Sequence, residues 1–175
     1  MPKSKQQQFD APRWLASDEQ VAWRSLLSVM VLLLDHLDRD LARDAGLSHA
    51  AYAVLANLSE APERALRLSE LAEILWTSRT RVTYLIDRLE KSGLVRREVV
   101  ATDRRGIRAV LTDQGCAAVA QAAPFHIESV RQRVFDHLTP QQVGQLTAIC
   151  QRLLPNLARP GASSVIDRIV GAEPK

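Results

Sequence analysis

The 175-residue sequence contains only two cysteines and four histidines, and they are scattered along the chain. Neither Cys116 nor Cys150 has metal-type spacing to a histidine, and neither has cationic neighbours at helical spacing that would activate its thiol. His126 and His137 would lie about 16 Å apart along one helix, too far to share an ion. We therefore expect two small core cysteines in a reduced compartment, no metal site and no cofactor; a peroxide-sensing thiol is the alternative.

Signatures of catalysis are missing as well. The sequence has no glycine-rich phosphate loop, no nucleophile elbow and no metal triad. Its carboxylates are spread over the surfaces of predicted helices rather than gathered in one segment. We therefore expect a protein that is not an enzyme.

Long apolar runs are also lacking. The longest, residues 26–34, is interrupted by Ser28 and closed by Asp35, well short of the roughly 20 apolar residues that span a membrane. The opening residues, MPKSKQQQFD, lack the apolar core of a secretion signal. These absences predict a cytoplasmic protein with no membrane partner.

Aromatic residues make up only 5% of the chain, which favours helices, whereas 46% hydrophobic and 25% charged residues are ordinary for a globular protein. We expect residues 1–16 to form a flexible polar arm broken by prolines, and a long helix is predicted at 17–47. That helix is predicted to begin with a capping box of Ser17 and Gln20 and to end at Gly46. A small domain cannot bury its long apolar stripe alone, so we expect part of it to meet another helix, of the same chain or of a partner.

The central segment, residues 48–112, is predicted to hold a helix-turn-helix followed by a β-hairpin. A short helix at 49–59 precedes two helices that are separated by a polar turn. The predicted caps of these three helices and their final stop are Ser48, Ser69, Thr77 or Ser78, and Gly93. Two strands, 94–100 and 107–111, flank a polar loop in which Gly106 supplies the positive φ that the turn requires.

Two further helices complete a fold class that is mainly α with a small β-hairpin. The first runs from about 113 to 137 with a bend near Pro124, and the second is capped by Thr139 and starts with a proline. These helices are predicted to occupy residues 113–158, with residues 159–175 as a C-terminal tail.

Positive charge is concentrated in the middle of the chain. Residues 78–108 hold nine basic and four acidic side chains, a net charge of +5, in a protein whose total is only +3. The remaining residues therefore sum to −2. A basic island in a slightly acidic protein is the pattern expected of a nucleic-acid contact.

The second helix of the helix-turn-helix carries much of this charge opposite its apolar stripe. Hydroxyl and guanidinium groups in such a position contact phosphate oxygens and base edges in a major groove. An ordinary solvated face is the alternative, but such a face normally mixes signs, and this one has a single acid, Asp87. The predicted DNA-contacting residues here are Thr77, Ser78, Arg79, Thr80, Arg81, Thr83, Tyr84 and Arg88.

The hairpin tip adds Asp103, Arg104 and Arg105 to the predicted site. A β-ribbon held beside the helix can reach the neighbouring minor groove, whose negative potential attracts arginine. Asp103 is predicted to brace an arginine rather than to touch DNA, because phosphates repel a carboxylate. Replacing Arg105 by Ala should weaken binding to all sequences evenly, whereas replacing Arg79 or Arg81 should cost about 1–3 kcal/mol and relax base preference.

The sequence of residues 66–115 resembles the winged helix-turn-helix of the MarR (multiple antibiotic resistance regulator) family. The matching motifs are Leu71-Ala72, the T-x-x-x-x-R-L of Thr83 to Leu89, the G-L-V-x-R of Gly93 to Arg97, the D-x-R of Asp103 to Arg105, and Leu111-Thr112. The flanking helices agree in number and order, so the likeness covers roughly residues 18–157.

The resemblance implies a homodimer with a winged helix-turn-helix DNA-binding lobe and a helical dimerisation region. The first helix and the last two would pack against those of the twin, the recognition helix would begin near Ser78, and Arg105 would lie at the wing tip, braced by Asp103. Two-fold symmetry predicts a palindromic operator in double-stranded DNA, with half-sites about 10 base pairs apart.

Members of the family often bind a small anionic or phenolic molecule between the dimer body and the DNA lobe, so the resemblance also implies repression that an effector relieves. Trp14, Trp23, His49 and Tyr52 fall near the first two helices and are candidates to line that crevice. The alternative is that they are core and arm-docking residues. Redox sensing is disfavoured, because neither cysteine lies near the N-terminus, where oxidation-sensing relatives keep theirs.

The function we expect is sequence-specific regulation of transcription by a homodimer on a palindromic operator. The alternative is a winged-helix module that binds other proteins and not specific DNA. Such a module would be depleted of arginine on its recognition helix and wing, and this sequence is not.

Overall fold

The computed structural model describes residues 12–100 and 103–158 and, for residues 103–105, the backbone alone. Within this part of the chain it confirms a mainly helical fold with a small antiparallel sheet. In chain order the elements are α1 (Ser17–Ala45), α2 (His49–Glu60), β1 (Ala65–Arg67), α3 (Leu68–Ile74), α4 (Arg79–Lys91), β2 (Val95–Val100), β3 (Asp103–Leu111), α5 (Asp113–Arg133) and α6 (Pro140–Leu157).

The two ends of α1 compare differently with the sequence prediction. The predicted capping box is wrong: Ser17 is already helical, and the Gln20 side chain donates to a backbone carbonyl that precedes the helix. Ala16 is the cap residue, and the Glu19 carboxylate accepts its N–H at 2.8 Å. The C-terminus is as predicted, because Gly46 adopts a φ of 66°, which glycine reaches without steric cost.

The helix caps of the central segment follow the sequence in two cases out of three. Ser48 and Ser78 cap α2 and α4, each accepting an amide N–H of the first helical turn, at 3.1 and 3.2 Å. Ser69 is not a cap, because β1 runs directly into α3 and Arg67 takes that position. The Glu70 carboxylate accepts the Arg67 N–H at 2.8 Å.

Gly93 ends α4 as predicted, with a φ of 73°. The N–H of Leu94 donates back to the Leu89 carbonyl oxygen at 2.9 Å, which closes the helix. The Thr112 hydroxyl donates to the Gly93 carbonyl oxygen at 2.7 Å and accepts the N–H of Gly115 at 3.0 Å. Thr112, which follows β3, thus joins the end of α4 to the start of α5.

The sheet has three antiparallel strands in the order β1-β3-β2, one more than the predicted hairpin. β1 pairs Ala65 with Val110 and Arg67 with Arg108. A strand of three residues has no alternation that a sequence pattern can reveal, and its partner lies far along the chain. β1 ties the segment before the helix-turn-helix to the wing, the hairpin of β2 and β3.

The wing differs from the prediction near its tip. β3 begins at Asp103 rather than at residue 107. Its pairing with β2 is regular as far as Val99 and then shifts, so residues 104–106 form an irregularity within the strand. The turn position predicted for Gly106 is therefore wrong, because the ladder resumes beyond it.

The predicted DNA-binding lobe, α2–α4 with the sheet, supplies most of the hydrophobic core, and residues of α1 and α5 complete it. Leu55 and Leu58 of α2, Leu71 of α3 and Ile86 of α4 have no exposed surface, and Val95 of β2 is 2% exposed. Burying one such side chain contributes roughly 1.5–3 kcal/mol. The core therefore holds α4 and the wing in one unit.

The helices outside the lobe are covered far less. α1 packs against α5, yet its buried residues are only Leu37, Asp40 and Leu41, and no residue of α6 is buried. An exposed apolar surface of this extent marks an interaction site. The exposed large apolar residues of the two helices include Val21, Trp23, Leu26, Val29, Leu32, Leu34, Leu146, Ile149, Leu153 and Leu157.

By length and composition, α1 is the one described helix that could cross a membrane, with a mean hydropathy of 1.2 over its most apolar window. The uninterrupted apolar runs of the sequence are too short to indicate such a helix. The same apolar stripe is what a helix needs to pack against another helix, and ionised side chains such as Asp35 and Arg39 follow it.

The C-terminal helices keep the predicted order with one shorter boundary. α5 ends at Arg133, before the predicted residue 137, and a 3₁₀ turn at Phe135–His137 leads toward α6. Pro124 lies inside α5, where it removes one backbone donor. Thr139 caps α6 as predicted: its hydroxyl accepts the Gln142 N–H at 3.3 Å, and the Gln142 side chain accepts the Thr139 N–H at 2.9 Å.

Candidate nucleic-acid interface

The outward face of α4 presents the side chains predicted to contact DNA. On the opposite face Val82 and Ile86 are fully buried, which fixes the rotation of the helix. Leu85, beside this stripe, is half-buried. Of the predicted contacts Thr77 is half-buried, and the exposed ones are Ser78, Arg79, Thr80, Arg81, Thr83, Tyr84 and Arg88.

Three of these exposed side chains are arginines without an ion pair in the described part of the chain, Arg79, Arg81 and Arg88. The guanidinium carbon of Arg88 lies 6.0 Å from the centre of the Tyr84 ring, in a cation–π contact. Guanidinium groups that no carboxylate neutralises are available to phosphate oxygens and to guanine edges.

Asp87, the single acid predicted on this face, is neutralised by the wing. Arg97 of β2 forms ion pairs with Asp87 and Glu90 of α4. Its guanidinium also donates to the Thr83 carbonyl oxygen at 3.3 Å, and its backbone N–H donates to the Glu90 carboxylate at 2.9 Å. Arg97, counted in the sequence as part of the basic island, therefore braces the wing against α4.

Two more arginines of the wing form ion pairs with nearby carboxylates. Arg108 of β3 pairs with Glu98 of β2 at 2.7 Å and with Glu63 at 2.9 Å, and Arg96 also pairs with Glu98. The positive field of the described lobe thus comes mainly from α4. The members of the basic island without an ion pair among the described residues are Arg79, Arg81, Arg88 and Lys91.

The wing-tip residues Asp103, Arg104 and Arg105 lie on β3, at its start. Their side chains are outside the described residues. The brace between Asp103 and Arg105, and the contact of Arg104 and Arg105 with DNA, therefore stay predictions. The brace that the structure describes is the different one, made by Arg97.

Trp76 lies in the turn between α3 and α4 and was not singled out by the sequence pattern. It is 41% exposed and has a φ of 51°, a left-handed conformation that costs a residue with a side chain about 1–2 kcal/mol. The N–H groups of Trp76 and Thr77 donate to the carbonyl oxygens of Glu73 and Ala72, at 3.1 and 3.0 Å. These bonds hold the turn, although tryptophan gives no turn signal in a sequence.

A second cluster of polar side chains connects α2 with α5. The His126 ring lies 4.5 Å from the Tyr52 ring and 5.6 Å from the His49 ring, between centres. Burial lowers the pKa of both histidines, and the charge of His49 lowers that of His126 further. Burial also raises the pKa of Tyr52. The Nδ1 atom of His126 is buried and has no hydrogen-bond partner among the described residues.

Only two of the four predicted effector residues meet in this cluster. His49 and Tyr52 do, and the Asp38 carboxylate of α1 accepts a hydrogen bond from the backbone N–H of His49 at 2.8 Å. Trp23 lies about 22 Å from Asp38 along α1, and it is 51% exposed. Trp14 is 83% exposed. One chain therefore does not bring Trp23 to the cluster, whereas His126, which the sequence left as a scattered histidine, belongs to it.

This geometry agrees with the comparisons to known proteins. A family model described as MarR family matches residues 45–106, from the end of α1 into the wing. The crystal structure of Sco3205, a MarR family transcriptional regulator from Streptomyces coelicolor in complex with DNA, is 46% identical to this chain, with a TM-score of 0.83 over 86% of this chain and 94% of that one. The chain belongs to the MarR family.

Two further proteins of known type are similar to this MarR-family chain. AbsC, a MarR family transcriptional regulator from Streptomyces coelicolor, is 39% identical to this chain. Its crystal structure gives a TM-score of 0.79 and covers 83% of this chain and 98% of that one. The transcriptional repressor MprA of Escherichia coli (strain K12) is 29% identical over 112 residues, 64% of this chain and 63% of MprA. The protein is thus a DNA-binding transcriptional regulator and not an enzyme.

Proposed function

We propose that this MarR-family protein is a cytoplasmic homodimer that represses transcription by binding a palindromic operator, and that a small anionic or phenolic effector releases it. The single observation that carries the proposal is the rigid lobe that displays unpaired arginines and hydroxyls on α4. The core fixes the helix, and Arg97 fixes the wing beside it. Such a lobe can enter a major groove without rearrangement.

The uncovered apolar stripes of α1 and α6 support the homodimer. They have no partner within the described chain, and a second copy carries the same stripes to meet them. A two-fold dimer places two recognition helices about one DNA turn apart, so its operator has half-sites around 10 base pairs from centre to centre. The domain roles follow: residues 17–47 and 113–158 dimerise, and residues 48–112 bind DNA.

The cluster of His49, Tyr52 and His126 supports an effector site between the lobe and α5. Its rings offer stacking surfaces, and the buried His126 Nδ1 offers a hydrogen bond that nothing in the described chain uses. The structure of CouR from Rhodococcus jostii RHA1 contains bound p-coumaroyl-CoA. CouR is 23% identical to this chain, so this likeness supports a common fold and not a common ligand.

DNA binding is tested by selecting fragments of the organism's own genome with the purified protein. The affinity for selected and for random duplexes is then measured over a salt series. We expect a preference of at least about a thousandfold for selected DNA and a salt dependence of several ions. A protein-interaction module would show neither, so equal and salt-indifferent binding of all duplexes would support that alternative instead.

The effector site is tested by a thermal-shift screen of phenolates and organic acids, in which only compounds that also release selected DNA count. His126→Gln should abolish the response to such a compound while DNA binding persists. His137→Gln is the matched control, since that histidine is exposed and outside the cluster. A response that survives in His126→Gln would remove the cluster from the proposal.

A further inference from the structure

A cleft of about 460 Å³ separates the recognition helix from the wing. Its walls come from four elements: the end of β1, the start of α3, the first turns of α4, and β3. No acidic side chain lines it among the described residues. The lining residues that matter for its chemistry are Arg67, Ser69, Arg79, Thr83, Gly106 and Ile107.

The position of Arg79 sets it apart from the other arginines of α4. Arg79 and Thr83 lie one helical turn apart on the flank of α4 that meets the wing, and Arg97 donates to the carbonyl oxygen of Thr83 there. Thr80, Tyr84 and Arg88 lie on the outermost part of the helix, farthest from the buried Val82 and Ile86 stripe. The two groups of side chains therefore face different parts of a bound duplex.

The chemistry of the cleft suits one unit of a nucleic-acid backbone. The guanidinium of Arg79 has no ion pair among the described residues, and the Ser69 hydroxyl is a second donor for anionic oxygens. Gly106 has no side chain, which allows close approach to the β3 backbone. Ile107 is 42% exposed and offers an apolar surface to a sugar.

We propose that this cleft binds one phosphodiester of the DNA backbone, with Arg79 and Ser69 as its anion-binding side chains. Arg79 then positions the duplex, and base recognition falls to Thr80, Tyr84 and Arg88. This rests on the proposed docking of α4 in the major groove. It departs from the sequence-based expectation that Arg79 reads bases, because the fold turns that arginine toward the wing.

The first test compares two variants that remove the same charge, Arg79→Gln and Arg88→Gln. The duplexes are one selected by the wild-type protein and one of random sequence, and melting temperatures verify the fold. Arg79→Gln should weaken both duplexes by the same factor, about tenfold, and reduce the salt slope by about one. Arg88→Gln should lower the preference for the selected duplex. A lowered preference in Arg79→Gln at an unchanged salt slope overturns the proposal.

The second test locates the phosphate. Uncharged methylphosphonate linkages are placed one at a time along the selected duplex. One position in each half-site should weaken wild-type binding yet have no further effect on Arg79→Gln. Effects that simply add at every position overturn the proposal, because the arginine would then contact no single phosphate.

A third measurement separates DNA phosphate from free phosphate. Inorganic phosphate is compared with chloride at matched ionic strength as a competitor for the selected duplex. Stronger competition by phosphate, lost in Arg79→Gln, supports the cleft when the methylphosphonate coupling is also present. Competition without that coupling means that the cleft holds a free anion, which overturns the DNA contact. If the wild-type protein prefers no duplex, the proposed function itself fails. That failure is distinct from a failure of the phosphate contact, because the preference is measured on the wild-type protein and the contact on the Arg79→Gln variant.

Discussion

Apolar side chains are buried in the DNA-binding lobe but largely exposed on helices α1 and α6. In the lobe, Leu58, Leu71 and Ile86 are completely enclosed by elements of one chain. On α6, Ile149 and Leu153 are 57% and 43% exposed. The apolar side chains of the lobe are therefore covered within one chain, whereas those of α6 remain available to a second surface.

The charged side chains of the two regions also differ in their partners. The wing arginines Arg97 and Arg108 are neutralised inside the lobe, so that the unpaired cations of its described residues lie together on α4. In the helical region the main ionic contact is internal: buried Asp40 of α1 accepts hydrogen bonds from Ser129 at 2.6 Å and from Arg133 at 2.7 Å. The lobe thus leaves positive charge available to a ligand. The helical region uses its charged side chains to join α1 to α5.

The largest expected effect comes from breaking the helical half. Ile149→Glu should give a monomer, because a carboxylate cannot be buried against a second copy without a partner. Its affinity for a duplex with two half-sites should fall at least about a hundredfold, while a single half-site is bound as before. Sedimentation and duplex titration measure both quantities.

Gln151→Glu is the control for this variant, since it adds the same charge on the other side of α6. A dimer that persists in Ile149→Glu would contradict the assigned interface. A wild-type protein that sediments as a monomer would contradict the dimer altogether.

A smaller effect is expected where the lobe meets α5. A Cβ added at Gly115 would lie 2.1 Å from the Leu94 carbonyl oxygen, and the backbone cannot yield easily there. Gly115→Ala should lower the free energy of unfolding by about 2–3 kcal/mol, as overpacking does. Gly144→Ala on α6 meets nothing within 4 Å in one chain and is the matched control. Chemical denaturation at a fixed protein concentration compares them, and equal stabilities would refute the packing described.

The smallest effect concerns the contact between α1 and α5. Hydrogen bonds from Ser129 and then Arg133 lower the pKa of Asp40 to about 2. A carboxyl group whose pKa is lowered on folding stabilises the fold above its unfolded pKa of about 3.9 and loses that contribution as the pH falls through 2. Asp40→Asn should therefore remove about 2 kcal/mol at pH 7, and the difference from wild type should shrink between pH 4 and about 2.

Unfolding followed by circular dichroism over this pH range checks the prediction. Asp35→Asn removes the partner of Arg39 on the exposed side of α1 and should change stability by less than about 1 kcal/mol. A difference between Asp40→Asn and wild type that stays constant down to pH 2 would show that the ionised carboxylate is not what stabilises the contact.

Local signals in the sequence were sufficient where a residue acts on its own helix. Ser48, Ser78 and Thr139 cap the helices that were predicted from them, and Gly46 and Gly93 end theirs. These residues work through backbone groups three or four positions away, so a short window of sequence contains both partners.

Contacts between distant segments could not be found in this way. Ser69 gave the signal of a cap, but β1 pairs with β3 and moves the start of α3 to Leu68. His126 gave no signal, because its neighbours His49 and Tyr52 come from another helix. In both cases the deciding partner lies dozens of residues away, where pattern and spacing carry no information.

The sequence by itself determined the order of the helices and of the wing hairpin, the apolar stripes that call for a second surface, and the basic helix that is predicted to meet DNA, because periodicity and charge are properties of the chain. Only the tertiary structure decided which arginines remain unpaired. Arg97 and Arg79 look alike in the sequence, yet the fold places carboxylates beside the first and an open cleft beside the second. The charge that a guanidinium offers to a ligand depends on what packing puts next to it.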